Sequence, residues 1–416
     1  MSILEQLTQF DPEIVNQLHL EAVRQNKQVN LIASENYASP QVILAAQNAL
    51  TNKYAEGYPG KRYYGGCEHA DVVETLAIER LKQLFDADYA NVQPHSGSQA
   101  NQAVFHALLN AGDTMLGMDL SAGGHLTHGC PVNFSGKVYN AITYGIDSEG
   151  ALDYDQIRTL ALKHRPRLII AGYSAYPGQL DWSKFRSIAD EVDAYLLADV
   201  AHIAGLIVTG FHPSPIEYAD AVTSTTHKTL RGPRGGIIVA KRNPELFKRF
   251  NSGIFPGVQG GPLMHTIAAK AVAFKEALSS DFKVYQQQVI DNAQTIAQTL
   301  TQNDIDIISG NTLNHLVLIN LIKENLTGKE IQQQLEDIGI ITNKNTVPND
   351  PQSPFVTSGI RIGTPAITTR GMGIKEAKRI AEIMTSVIKQ SYDKQRLHDE
   401  ILALSNAFPI TTSYLG

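Results

Sequence analysis

The sequence predicts an α/β protein: a mostly parallel central sheet in a large unit, then a smaller C-terminal α+β unit. Short apolar, β-rich runs at 89–92, 114–118, 138–144, 167–171, 195–198, 221–223 and 237–240 alternate with segments of helical periodicity. That is the pattern of strands covered on both faces. Ser174, Asp199 and Lys228 each follow such a run. In open α/β sheets, ligands sit beyond the carboxyl ends of the strands. The helical periodicity over 265–278 breaks at Ser279-Ser280-Asp281, where a new pattern begins. A chain of 416 residues is long enough for more than one core. The expected division is an N-terminal helical arm (1–50), a large domain (51–279) and a small domain (280–416).

Composition narrows the function classes. Hydrophobic residues make up 43% and charged residues 18%, with 35 basic against 41 acidic side chains and a net charge of −6. That balance argues against a nucleic-acid or anionic-membrane partner. Cys67 and Cys130 are far apart; two cysteines leave one disulfide open but exclude a disulfide framework or a cysteine-rich metal site. No basic stretch leads an apolar one at the N-terminus, and no run reaches membrane-spanning length. The expected setting is the cytoplasm.

Taken in order, Asp11-Pro12 starts a helix over 12–28, with Val15, Leu18 and Ala22 on one face. The segment 31–37 is a polar, irregular connection, and Ser39-Pro40 starts a second helix through about Leu50. Residues 52–66 carry Tyr54, Glu56, Tyr58, Tyr63 and Tyr64 among glycines, which suits a site loop better than a core. Val72, Leu76 and Leu84 line the next helix. Gln93-Pro94-His95-Ser96-Gly97-Ser98 then turns from a strand into a helix. Free N–H groups, the positive dipole end and two hydroxyls make that turn an anion site.

The strand 114–118 leads into Asp119-Leu120-Ser121-Ala122-Gly123-Gly124-His125-Leu126-Thr127-His128-Gly129. His125 and His128 have the i, i+3 spacing of metal ligands, but no third ligand shows useful spacing, so no metal is expected. Asp199 ends an apolar run and needs a cationic partner. Lys228, between a β-branched run and the Gly/Pro/Arg turn 231–236, is held at a sheet edge with His227, Arg231 and Arg234 near it. Dehydration and cationic neighbours favour its neutral amine. Gln259-Gly260-Gly261-Pro262 is a further turn. Beyond the boundary come a helix to about Leu300, a strand at 315–321, and a capping box at Thr327 and Glu330 opening a helix that ends at Gly339. The proline-rich stretch 346–358 is an exposed loop, and Arg361 follows in an apolar strand. A buried arginine suits a carboxylate ligand.

The stretch 224–236, with Leu31-Ile32-Ala33-Ser34-Glu35-Asn36-Tyr37 and Arg361-Ile362-Gly363-Thr364-Pro365-Ala366, resembles the serine hydroxymethyltransferases. These are pyridoxal-phosphate (PLP) enzymes of fold type I, and the likeness runs nearly end to end. It implies reversible conversion of serine and tetrahydrofolate to glycine and 5,10-methylenetetrahydrofolate, with PLP held covalently on Lys228 in the large domain. It gives the phosphate to Ser96, Gly97, Ser98, Tyr54, Gly260 and Gly261, the pyridine nitrogen to Asp199, and the ring faces to His125 and Ala201. Ser174, His202 and His227 also belong to the cofactor site. Ser34, His202 and Arg361 take the substrate carboxylate, with Glu56 and Tyr64 serving its chemistry. Leu120, Gly124, His125, Leu126, Asn345, Ser353, Pro354 and Phe355 form the folate groove. The resemblance further implies a homodimer whose loop 52–66 reaches the neighbouring subunit's site. The alternative on the same fold is a PLP-dependent threonine or β-hydroxy amino acid aldolase that needs no folate.

Overall fold

The computed structural model describes residues 3–147 and 149–410. The central sheet has seven strands: β1 (Tyr89–Asn91), β2 (Thr114–Met118), β3 (Asn140–Tyr144), β4 (Leu168–Gly172), β5 (Tyr195–Asp199), β6 (Ala221–Thr225) and β7 (Gly236–Ala240). Their order is β1-β7-β6-β5-β4-β2-β3. The strands β2 to β6 pair in parallel, and β7 runs antiparallel to both β6 and β1. The mostly parallel sheet expected from the alternation is present. The strands β4, β6 and β7 are buried at every position, so their sequences read as continuous apolar or β-branched runs. One face packs on Leu81, Trp182, Phe185 and Phe274, and the other on Val104, Phe105 and Phe250.

Two elements depart from the sequence reading in their bounds, and Leu18, Val72 and Leu76, read as lining helix faces, are exposed. The helix begun by Ser39-Pro40 stops at Ala46, because Asn48 caps a separate 3₁₀ turn, Ala49–Asn52, by accepting from the Leu50 N–H. The run 138–144 is split. Val138 closes a short helix, Phe134–Val138, capped by Asn133, and the strand begins only at Asn140.

A second core lies around the antiparallel sheet of β8 (Leu316–Asn320), β9 (Asn343–Asn345) and β10 (Gly359–Gly363), in the order β8-β10-β9. The N-terminal segment joins it. Val29–Asn30 pairs in parallel with Ile340–Ile341, and Val29 and Leu31 are buried with Ile296, Val317, Ile362 and Met384. The helix Ser280–Gln302 starts at the Ser279 cap, places Phe282 in the first core and carries Ile296 into the second. Among the described residues no helix is long and apolar enough to cross a membrane.

In-register pairing aligns Gly172, Asp199 and Thr223 across β4, β5 and β6. The carboxyl ends of three central strands therefore open at one edge, and the chemistry gathers there.

Candidate active site

Lys228 leaves β6 on a turn held by its own main chain, with Thr226 N–H donating to Gly235 O and Gly232 N–H to Thr226 O. From the N-terminal segment, Asn36 Nδ2 donates to Lys228 O at 2.9 Å. The side chain is buried, and burial lowers its amine to about 8; Arg361 and Arg234 push the same way, and Asp199 opposes them. Arg231, expected beside the amine, turns away instead. Its guanidinium lies 4.6 Å from the centre of the Tyr285 ring, where cation–π stacking compensates for lost water.

Asp199, the last residue of β5, sits in a hydrogen-bonded nest. His128 Nδ1 accepts from the His125 N–H, which leaves Nε2 to donate to Asp199 Oδ2 at 3.0 Å. Asn101 Nδ2 donates to the same oxygen at 2.8 Å, while Asn101 Oδ1 accepts from Thr223. Burial alone would raise this carboxyl, but the His128 and Asn101 hydrogen bonds hold it below the ordinary aspartate range. It is a buried, ionised acid with no lysine or arginine bonded to it among the described residues. The third ligand that spacing failed to supply for His125 and His128 is thus Asp199, brought close by the fold. The histidine and asparagine bonds already account for one of its oxygens, and Ala201 N–H takes the other. Burial lowers His125 to about 4, so its ring is neutral near pH 7.

Ser96 caps the helix Gly97–Leu108 by accepting from Gln99 N–H. Two glycines make this turn possible. A Cβ on Gly97 would lie 2.7 Å from Thr225 Cγ2, and one on Gly236 would collide with Ser96 O. The middle of β10 contributes Arg361, whose Nη1 donates to Ser174 O at 2.8 Å and whose Nε donates to Asn343 Oδ1 at 3.1 Å. Arg361 makes no ion pair among the described residues, and burial lowers it to about 10. His202 is buried against His315, with Nδ1 and Nε2 3.3 Å apart.

These groups surround one cavity of about 660 Å³. It is lined by Lys228, Asp199, Ala201, His202 and His227 and by the turn Ser96, Gly97 and Ser98. Ser34, Ser174, Arg361, Leu120, Gly124, His125, Leu126, Asn345 and Pro354 also line it. Ser353 and Phe355 do not line it; they stand on the exposed loop.

Five expected residues form a separate cluster that does not line the cavity. Tyr54 and Tyr64 meet edge to face at 5.2 Å, Tyr54 Oη donates to Glu56 Oε1 at 3.3 Å, and Gly260 and Gly261 pack on Glu56 and Tyr54. Sequence reasoning missed Asn101, His315 and Asn343 and gave His128 no role. A polar Asn101 on the alanine-lined face of its helix was the one available signal, since no pattern of spacing marks the other three.

A family model described as Serine hydroxymethyltransferase matches residues 7–384. The chain belongs to the serine hydroxymethyltransferase family. It is 60% identical over 404 residues to the serine hydroxymethyltransferase of Halorhodospira halophila, covering 96% of this chain and 97% of that protein. That of Dichelobacter nodosus is 60% identical over 407 residues, covering 97% and 98%, and that of Acinetobacter baylyi 58% over 408 residues, covering 97% and 98%. The fold is the type I fold of this PLP-dependent family, as the resemblance implied. PLP fits the residues present. The cavity offers a buried amine of lowered basicity, an ionised acid without a cation, a neutral imidazole and a glycine-cleared turn at a helix N-terminus.

Proposed function

We propose that this chain reversibly transfers the hydroxymethyl group of serine to tetrahydrofolate, giving glycine and 5,10-methylenetetrahydrofolate. The observation that carries the reading is the convergence of Lys228, Asp199 and Arg361, distant in sequence, on one cavity in a chain of this family. Bound PLP supplies an electron sink for the pair released at the amino acid's α-carbon.

In this reading the chain's own groups divide the work. Lys228 provides the amine that holds the cofactor, and its lowered basicity leaves a share of it uncharged near neutral pH. Asp199, kept ionised by its donors, would hold the protonated ring nitrogen, and His125 and Ala201 would hold the ring between them. Ser96, Gly97 and Ser98 hold the phosphate with the first N–H groups of their helix, and Ser174 and His227 complete the cofactor's surroundings. Arg361 takes the substrate carboxylate with Ser34 and His202. A fixed carboxylate orients the α-carbon, and orientation decides which bond breaks. Leu120, Gly124, Leu126, Asn345 and Pro354 would hold the pterin, with Ser353 and Phe355 on the adjoining exposed loop. Leu120 and Leu126 support this, being apolar and partly exposed where they line the cavity.

The working unit is a homodimer in which the cluster of Tyr54, Glu56, Tyr64, Gly260 and Gly261 serves the site of a second copy. There Glu56, with Tyr64, moves the proton of the serine hydroxyl. The three-part division at 50 and 279 and a cytoplasmic setting belong to the same reading; the setting is supported by two free cysteines. Serine cleavage assayed with and without tetrahydrofolate tests the activity. Glycine should form at a rate that depends on folate, and folate-independent cleavage of β-hydroxy amino acids at an undiminished rate would make the chain an aldolase instead.

A further inference from the structure

Lys270 lies in the helix Met264–Ala277, outside the cavity and almost fully buried. Its ammonium group has three protons, and the structure accounts for all of them. Nζ donates to Val92 O at 2.7 Å, Pro94 O at 3.0 Å and Gly236 O at 2.9 Å. No carboxylate is hydrogen-bonded to it among the described residues, so main-chain carbonyls solvate it directly; burial lowers the amine to about 7, and the Glu74 carboxylate opposes that. Such an arrangement is expensive unless every donor is satisfied.

The three carbonyls belong to the structure beneath the phosphate-type turn. Val92 and Pro94 lead from β1 into Ser96-Gly97-Ser98, and Gly236 opens β7. Gln259, just ahead of the same helix, holds the groups between them: its Nε2 donates to Gln93 O, and its Oε1 accepts from His95 N–H, both at 2.9 Å. The acceptors at 92, 93 and 94 and the donor at 95 are thus pinned by two side chains from one segment. There is no slack in the packing. Gly236 N–H donates to Pro94 O, and Cβ atoms on Gly235 and Gly236 would collide with the Lys270 stem and with Ser96.

We propose that Lys270 is a positioning residue for the phosphate cradle: its ammonium group ties the turn 92–95 to β7, and so sets affinity for the cofactor's phosphate without touching it. The inference rests on the reading that this site binds PLP. Because the Gly260-Gly261 turn lies between Gln259 and the helix that carries Lys270, the same segment aligns the phosphate donors of this chain and the turn offered to a second copy.

Lys270→Met keeps the stem and removes the donors, leaving three buried carbonyls without their partner. Cofactor affinity is read on the apoprotein by equilibrium dialysis with PLP and, separately, with pyridoxal, which lacks the phosphate. Affinity of the variant for PLP should fall about tenfold or more, while affinity for pyridoxal should change less than about twofold. Lys270→Arg should recover part of the loss. Unchanged PLP affinity, or equal loss for both ligands, would overturn the proposal. If Lys270→Met does not fold, Lys270→Gln is measured in the same way and the same outcomes decide. Failure of the unmodified protein to bind PLP would refute the reading of the site itself, which is a separate result.

Discussion

Lys228 owes its chemistry to its surroundings. Burial, then the field of Arg361 and Arg234, disfavour the ammonium form, and Asp199 restores part of it. An amine at about 8, against an ordinary 10.5, is protonated below that value, so its capture of an aldehyde should slow on acidification. The rate of PLP uptake by the apoprotein should fall about tenfold per pH unit below the break and level off above it. In Asp199→Asn the one neighbour that raises the amine is lost, so the break should move to lower pH. Stopped-flow uptake across the pH range checks both, and a break that stays put in the variant would show that the two groups do not interact. At this scale much was legible in the sequence. Lys228, Asp199 and Arg361 each interrupt an apolar or β-branched pattern with a group that needs a partner. Arg231 was misplaced because a left-handed residue (φ 56°) turns the chain there, and periodicity does not report that rotation. Asn101 left only a faint trace, a polar residue on an alanine-lined helix face, and Lys270 left none. For both, only the packing of the helix on the sheet reveals what the side chain binds.

At the level of elements, the site is made by the meeting of strand ends with a turn too crowded for side chains. Gly236 begins β7 and lies directly under Ser96, so its lack of a Cβ is a packing requirement and not a matter of backbone freedom. Gly236→Ala should cost about 1–3 kcal/mol through overpacking against main-chain atoms that cannot swing aside. Gly145→Ala, where an added Cβ meets nothing within 4 Å, should stay within about 0.5 kcal/mol. Denaturant melts of the two variants make the comparison, and equal effects would mean that the turn is free to shift. The alternation of runs foretold the sheet because strands buried on both faces leave a compositional trace. It gave no warning of the short helix Phe134–Val138, whose five residues are too few to show a period. Nor did it show that Val29 and Leu31 belong to the C-terminal core, since a two-residue pairing leaves no pattern.

For the whole molecule, the decisive fact is that the candidate site divides into two groups that do not meet within one chain. Lys228, Asp199 and Arg361 surround the cavity, while Tyr54, Glu56, Tyr64, Gly260 and Gly261 form a cluster elsewhere. The loop of that cluster is not loose. Arg62 bonds Asp71 and the buried Glu74, and also donates to Ala55 O and Gly57 O, so the exposed tyrosines are presented on a rigid base. Tyr54 is 54% and Tyr63 74% exposed, so these large rings face largely outward although each meets one ring of its own chain. A two-fold dimer would place each such cluster at the other chain's cavity. The two arrangements give opposite results when defects are mixed. Take one population carrying Lys228→Ala and another carrying Glu56→Gln, each inactive alone. In a mixed dimer with exchanged loops, one cavity receives both defects and the other receives none. Random reassembly makes half of the dimers mixed, each with one intact site of two, so activity should return to about a quarter of that of the unmodified protein. If each loop served its own chain, every site would keep a defect and mixing would restore nothing. Reassembly after mild denaturation, followed by the folate-dependent assay, reads the difference directly.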